Sequence, residues 1–259
     1  MTIMTSRPVA LVTGATAGIG REFVTQLAQR GHDLVLVARD RGRLEEVAAE
    51  LKRTYAAESE ILVADLSDRQ ALQAVADRLG DADRPVDVLV NNAGFALRRS
   101  FLRGDLADEE AAFDVLVRAV LVLSHAAGRA MRERHRGTII NVSSVAGFLA
   151  SGSYSAAKAW VTSFSEGLAM ELDGSGVTVT ALCPGFTNTE FQERAGLSKP
   201  GPGFMWLDPA DLVADCLGDV EKGRVVSVPG LQYKAIVGLL SVAPRPLIRR
   251  AAKVARRRR

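Results

Sequence analysis

Val9-Ala10-Leu11-Val12-Thr13-Gly14-Ala15-Thr16-Ala17-Gly18-Ile19-Gly20 is the stretch on which the rest of the chain is read. Its first five residues have the composition of a buried strand. They run straight into a turn holding three glycines, and a helical pattern follows over residues 19–30. Glycine permits a tight turn and lets backbone N–H groups approach an anion, while the helix N-terminus adds partial positive charge. Strand, turn and helix together predict a phosphate cradle at Gly14, Thr16, Gly18, Ile19 and Gly20. By itself the turn is weak evidence, because an ordinary strand-to-helix connection looks similar and the spacing is GxxxGxG rather than GxGxxG.

Outward from that stretch, short apolar runs alternate with amphipathic ones. Strands are expected at 33–38, 61–64, 86–91, 138–143, 177–182 and 225–228, with helices at 41–56, 68–80, 107–134 and 153–173. Asp208 and Pro209 supply an N-cap and a first-turn proline for a helix to about residue 217. This alternation predicts an α/β fold: a doubly wound parallel sheet of about seven strands, helices on both faces, in a single domain.

Composition agrees. With 259 residues, 47% of them hydrophobic, the chain can bury a large core, which excludes disorder and a disulfide scaffold. Two scattered cysteines, Cys183 and Cys216, point to a reducing compartment, so a cytoplasmic location is expected. No metal is expected, since His32, His125 and His135 have no paired ligand spacing. The net charge of +3 hides an asymmetry: residues 245–259 carry eight basic residues and no acidic one, leaving residues 1–244 at −5. The apolar run 235–243 is about half the length needed to cross a bilayer.

Four further motifs make the glycine turn informative. They are Asn91-Asn92-Ala93-Gly94, Ser143-Ser144, Tyr154-Ser155-Ala156-Ala157-Lys158 and Pro184-Gly185. Tyr154 and Lys158 are four apart and share a helix face. A phenol titrates near 10, and a neighbouring ammonium is expected to lower that value and make Tyr154 a general acid/base. In this order, over about residues 8–230, the motifs resemble the short-chain dehydrogenase/reductase family.

The resemblance implies a Rossmann-like oxidoreductase that passes hydride between a nicotinamide cofactor and a ketone, aldehyde or secondary alcohol. It implies that Ser144 binds the substrate oxygen, Tyr154 transfers the proton and Lys158 also holds the nicotinamide ribose. Ser143 is the alternative to Ser144, and the family's serine is usually the second of such a pair. By the same resemblance Asp65 and Leu66 flank the adenine, while Asn91, Ala93 and Gly94 line the cofactor cleft. Pro184 and Gly185 form the turn after the sixth strand, and Thr187 and Thr189 approach the nicotinamide end. A homodimer or homotetramer through helices 107–134 and 153–173 is implied as well. Two departures stand out. Leu116 occupies the place of an asparagine that holds a water in relatives, and Ser144 and Tyr154 are ten residues apart, closer than is common. They leave a second reading open, an NADP-binding regulatory or interaction protein with little turnover.

For the cofactor, the second strand runs into Ala38-Arg39-Asp40. An acidic residue there suits the ribose 2′-hydroxyl of NAD, whereas an arginine suits a 2′-phosphate. NADP is therefore expected over NAD, although Arg39 also reads as a solvated residue ahead of a helix capped by Asp40. Ala17 lacks the positive charge that many NADP-preferring relatives carry at that position.

The catalytic domain is expected to span 1–230 with a substrate lid at about 186–210, followed by a basic amphipathic tail, 231–259. Phe204, Met205 and Trp206 between Gly-Pro hinges suit a cover over an apolar carbonyl, such as a long-chain 3-oxoacyl or other lipid-like compound; packing into the core or a subunit interface is the alternative. In the tail, Leu231, Ile236, Val237, Leu239, Leu240, Leu247, Ile248 and Val254 interleave with basic residues. Such a segment suits a peripheral membrane contact, a cover for the entrance or a neighbouring subunit. Nucleic acid is not expected, because no aromatics accompany the arginines.

Overall fold

The strands that carry the functional motifs end side by side. The computed structural model describes residues 7–97, 99–190, 202–244 and 246. Its strands are β1 (Val9–Thr13), β2 (Asp33–Ala38), β3 (Ser59–Val63), β4 (Val88–Asn91), β5 (Gly137–Val142), β6 (Val177–Leu182) and β7 (Val226–Ser227). They form one parallel sheet in the order β3-β2-β1-β4-β5-β6-β7. The order reverses between β1 and β4, and a doubly wound sheet binds ligands in the crevice such a reversal opens at the C-terminal strand ends.

Alternation along the strands divides the core. Ala10, Val12, Leu34 and Leu36 face helices α1 (Gly18–Gln29), α2 (Arg41–Tyr55) and α7 (Pro209–Glu221). Leu11, Val35 and Val37 face α3 (Arg69–Gly80), α5 (Ala119–Glu133) and α6 (Gly152–Glu171). Aspartates start several helices: Asp40, Asp68 and Asp208 accept from the amides of Arg43, Ala71 and Ala210 at 3.1, 2.7 and 2.8 Å. Each such cap contributes about 1 kcal/mol. Between the sheet and its second face runs a buried polar seam. Asn91 Nδ2 donates to Ser124 Oγ at 3.1 Å and to Asn141 Oδ1 at 2.9 Å, and Asn141 Nδ2 donates to Ser165 Oγ at 3.0 Å.

Two regions differ from the expected pattern. The helix expected over 107–134 is present as one run, Leu106–Glu133, but contains a π-helical turn, Asp114–Arg118, between α4 (Leu106–Phe113) and α5. The turn buries three consecutive residues, Val115, Leu116 and Val117, which regular helical periodicity does not do. Leu106–Glu133 has the length and composition of a membrane span, yet 56% of its most apolar window is buried in the protein, as in a core helix. The second difference lies at residues 231–242. There α8 (Leu231–Val242) buries Tyr233 and Val237 against the rest of the fold. Residues 191–201 of the expected lid and 247–259 of the expected tail lie outside the described residues.

Leu123 on α5 is fully buried among Leu89, Ile139 and Val179. Leu123→Ala should cost about 2–5 kcal/mol in urea unfolding without a change in the slope of the transition.

Candidate active site

The glycine turn is shaped for close approach. Gly14 and Gly18 have φ of +67° and +55°, and a Cβ on Gly20 would collide with Gly14 O and the Asn92 side chain. Thr16 and Ile19 are half-buried in the same turn, with Ile19 packed on the core. In contrast to the helices capped by aspartate, α1 has Ala17 at its N-cap, with no side-chain cap and no acidic residue in its first turn. Those first amides and the positive end of the helix dipole are left for an anion. The residues present therefore fit the pyrophosphate of a dinucleotide.

Asn92 and Thr13, absent from the site residues expected above, hold this turn to the end of β4. Asn92 Nδ2 donates to Thr13 O at 2.9 Å and Gly14 O at 3.3 Å, while Thr13 Oγ1 accepts from the amides of Asn92 and Ala93 at 2.9 and 3.0 Å. Both residues lie within quoted motifs, so the signal was present, but their role depends on a contact between distant strands. Ala93 is half-buried and Gly94 exposed at the cleft. Asn91 is placed differently from the expectation. Its carboxamide belongs to the buried seam with Ser124 and Asn141, because successive strand residues face opposite ways and a buried amide needs partners.

At the adenine end, Arg39 is 76% exposed and its guanidinium lies 4.0 Å from Asp65. Arg41 and Arg43 stand nearby in the first turn of α2, 3.9 Å from Glu45 and 3.7 Å from Glu190. These contacts are loose beside the 2.7 Å pairs Arg21–Glu50 and Arg118–Asp114. Two hydrogen bonds from Ser67 hold the Asp65 carboxyl below its usual range, and Arg39 adds to this. Leu66 beside it is buried.

The residues of the expected reaction centre lie beyond β5 and on α6. Ser143 and Ser144 face opposite ways. Ser143 Oγ is buried and donates to Lys158 O at 2.7 Å. Ser144 Oγ accepts from the amide of Ala146 at 3.1 Å and donates to Pro184 O at 3.4 Å, and it acts on the Tyr154 phenol, drawing it down against the larger effect of burial. Lys158 is buried, with Nζ donating to Val142 O at 2.7 Å and lying 5.8 Å from the centre of the Tyr154 ring. Burial lowers the ammonium to about 8 and pushes the phenol up to about 12. The expected lowering of Tyr154 by Lys158 is thus corrected. The ammonium sits over the ring and is bound to a carbonyl, so loss of solvation outweighs it at the phenol oxygen. Val142 O takes one of three ammonium donors, and ribose hydroxyls would suit the others. Leu116, on the π-helical turn, reaches this point too: a Cβ on Gly94 would lie 2.9 Å from its Cδ2 and 3.9 Å from Lys158 Nζ.

Pro184 is buried and Gly185 half-buried after β6. Thr187 Oγ1 donates back to Gly185 O at 3.1 Å, and Thr189 packs against Gly18 at the phosphate turn. A cavity of about 490 Å³ lined by Gly18, Arg21, Asn188, Thr189 and Pro209 opens there. The two stems of the expected lid are joined. Thr187 and Leu207 form a parallel bridge, and Phe186 stacks on Trp206 with centroids 5.3 Å apart. Tyr233 of α8 secures both stems: its hydroxyl accepts from the Phe186 amide at 2.9 Å and donates to Met205 O at 2.7 Å. Its ring fills the space a side chain at Gly185 would need. Nothing local in the sequence marks Tyr233, which lies in the segment read as the start of a tail.

The short chain dehydrogenase family model matches residues 8–199. Sulfoacetaldehyde reductase 2 of Chromohalobacter salexigens is 35% identical over 218 residues, 82% of this chain and 86% of that protein. A short-chain dehydrogenase from Sphingobium yanoikuyae in complex with NADPH superimposes with a TM-score of 0.83 at 34% identity, covering 92% of this chain and 97% of that one. One from Burkholderia phymatum in complex with NAD gives 0.78 at 28%, covering 92% and 94%. The chain belongs to the short-chain dehydrogenase/reductase family. It is an oxidoreductase of the NAD(P)-dependent carbonyl/alcohol type.

Tyr233→Phe removes a donor and an acceptor shared by the two stems. Amide exchange at Phe186 and in 203–207 should accelerate while β1 to β6 keep their protection, and KM for the carbonyl should rise more than kcat falls. Unchanged exchange at those amides would remove Tyr233 from this positioning role.

Proposed function

We propose that the chain is an NADP(H)-dependent carbonyl reductase or alcohol dehydrogenase in which Ser144, Tyr154 and Lys158 carry the chemistry. The observation that carries this reading is the gathering of Ser144, Tyr154 and the buried Lys158, whose ammonium lies 5.8 Å from the centre of the Tyr154 ring, at the mouth of the dinucleotide cleft. The nicotinamide, when bound, supplies or accepts the hydride. Ser144 donates a hydrogen bond to the substrate oxygen and sets it beside the phenol. Tyr154, neutral at pH 7 with its phenol near 12, gives that oxygen a proton during reduction. Lys158, at about 8, is mostly an ammonium at neutral pH; it holds the ribose and is the fixed positive charge available to a phenolate in the reverse direction. Leu116 makes the neighbouring wall apolar, so that side chain binds no water for this lysine.

NADP over NAD is supported by the corner where Arg39, Arg41 and Arg43 gather, all loosely paired, without an acidic residue in the first turn of α2. Arginine suits a 2′-phosphate in charge and in fork geometry. Asp65 and Leu66 would lie along the adenine, and Thr189 with the α1 amides along the phosphates. An apolar, lipid-like carbonyl is supported by the Phe186–Trp206 stack and the half-buried Met205 at the stems of the lid. Exposed Phe113, Leu121 and Met170 on α4, α5 and α6 support a homo-oligomer, and two buried free thiols suit a reducing, cytoplasmic setting.

Arg39→Asp should raise KM for NADPH much more than for NADH; equal losses for both would refute the 2′-phosphate assignment. Tyr154→Phe should lower kcat by about 10²–10⁴ while NADPH still binds in a fluorescence titration. Undiminished turnover would remove Tyr154 from catalysis. No turnover in the parent protein across acyl-thioester, steroid and small carbonyls, with NADPH bound, would favour the regulatory reading instead.

A further inference from the structure

Helix α8 is apolar on the side it turns to water. Tyr233 and Val237 face the protein, whereas Leu231, Ala235, Leu239 and Val242 form an exposed stripe, with the three large side chains 82%, 69% and 79% exposed. Exposed Phe204 extends the patch, its carbonyl accepting from Gln232 Nε2 at 3.2 Å. Lys234 is the one charged residue in the helix. A surface helix normally shows polar residues on its solvent side. On this helix the solvent side is apolar as well.

Charge supplies the second observation. After Glu221 the chain has eleven basic residues and no acidic one, eight of them beyond residue 244. An apolar stripe followed in the sequence by basic residues with no acidic one among them matches an anionic bilayer, whose acyl boundary takes the leucines and whose headgroups take the arginines. At twelve residues α8 is too short to span a membrane, so it lies in the plane. A second copy of the chain fits less well, because it adds positive charge where a lipid surface offsets it. A nucleic acid would meet the arginines and leave the apolar stripe in water.

We infer that α8 and the basic segment after it dock the protein on an anionic lipid surface, with Leu231, Leu239, Val242 and Phe204 entering the acyl boundary. Tyr233, on the inner side of the same helix, hydrogen-bonds both stems of the substrate loop, so the docked face lies beside the substrate entrance. Docking does not depend on the catalytic assignment, since it involves neither cofactor nor turnover.

The test uses the full chain with vesicles of phosphatidylcholine alone or mixed with phosphatidylglycerol, read by co-sedimentation at rising salt. Binding is expected to the mixed vesicles only and to weaken with salt. The double substitution L239E/V242E, and separately Arg256, Arg257, Arg258 and Arg259 each replaced by Gln, should weaken it by more than about tenfold. Both variants should keep full turnover of a small water-soluble ketone. Absence of binding by the parent chain overturns the proposal. So does undiminished binding by L239E/V242E, which would mean adsorption by charge alone. A change of oligomeric state in that variant with vesicle binding intact would assign the stripe to a second copy. Tighter binding to duplex DNA than to mixed vesicles would assign the arginines to nucleic acid.

Discussion

Asn92 closes the gap on which the cleft depends. The sheet changes direction between β1 and β4, and without a tie the loops leaving those strands would diverge. The Asn92 side chain donates to both Thr13 O and Gly14 O, and the Thr13 hydroxyl accepts two amides from the other loop. This exchange fixes the glycine turn against the Asn91–Gly94 loop, beside the start of α1, which Ala17 leaves uncapped. Gly20 is glycine for the same reason, since any side chain there would occupy the space of the tie. The phosphate end, and through Gly94 the reaction centre, are set by it.

The two ends of the cleft treat positive charge in opposite ways. Arg39, Arg41 and Arg43 stand in water with distant partners and can turn toward a phosphate at little cost. Lys158 is buried, held by Val142 O, and its affinity for a proton is reduced to about 8. A buried ammonium is tolerated only with partners, so the lysine is both fixed in place and receptive to further acceptors. Leu116 raises the apolar character of that pocket, and the π-helical turn that carries it buries three successive side chains where an ordinary helix would expose one.

Much of this was legible along the chain. β1, β2 and β6 follow from their apolar runs, and Gly14, Gly18 and Gly20 identify the turn because few other uses require that set of residues after a strand. The Tyr154–Lys158 spacing placed both residues on one helix face. The failures have a common origin. The Asn91 side chain turns into the buried seam rather than the cleft, and loss of solvation raises the Tyr154 phenol where the nearby ammonium suggests a lowering. Each depends on what surrounds a residue in space, and neighbours in sequence say little about that.

By itself, then, the sequence determined the parallel α/β architecture, the family and the chemical types gathered at the cleft, because strand and helix periodicity, glycine spacing and motif order are local properties. Only the tertiary structure decided which serine of the Ser143–Ser144 pair meets Tyr154, where the Lys158 ammonium is bound, and that α8 turns one side to Phe186 and Met205 and an apolar side to the exterior. Solvation, hydrogen bonding across strands and the exposure of a helix face exist only once distant segments have packed.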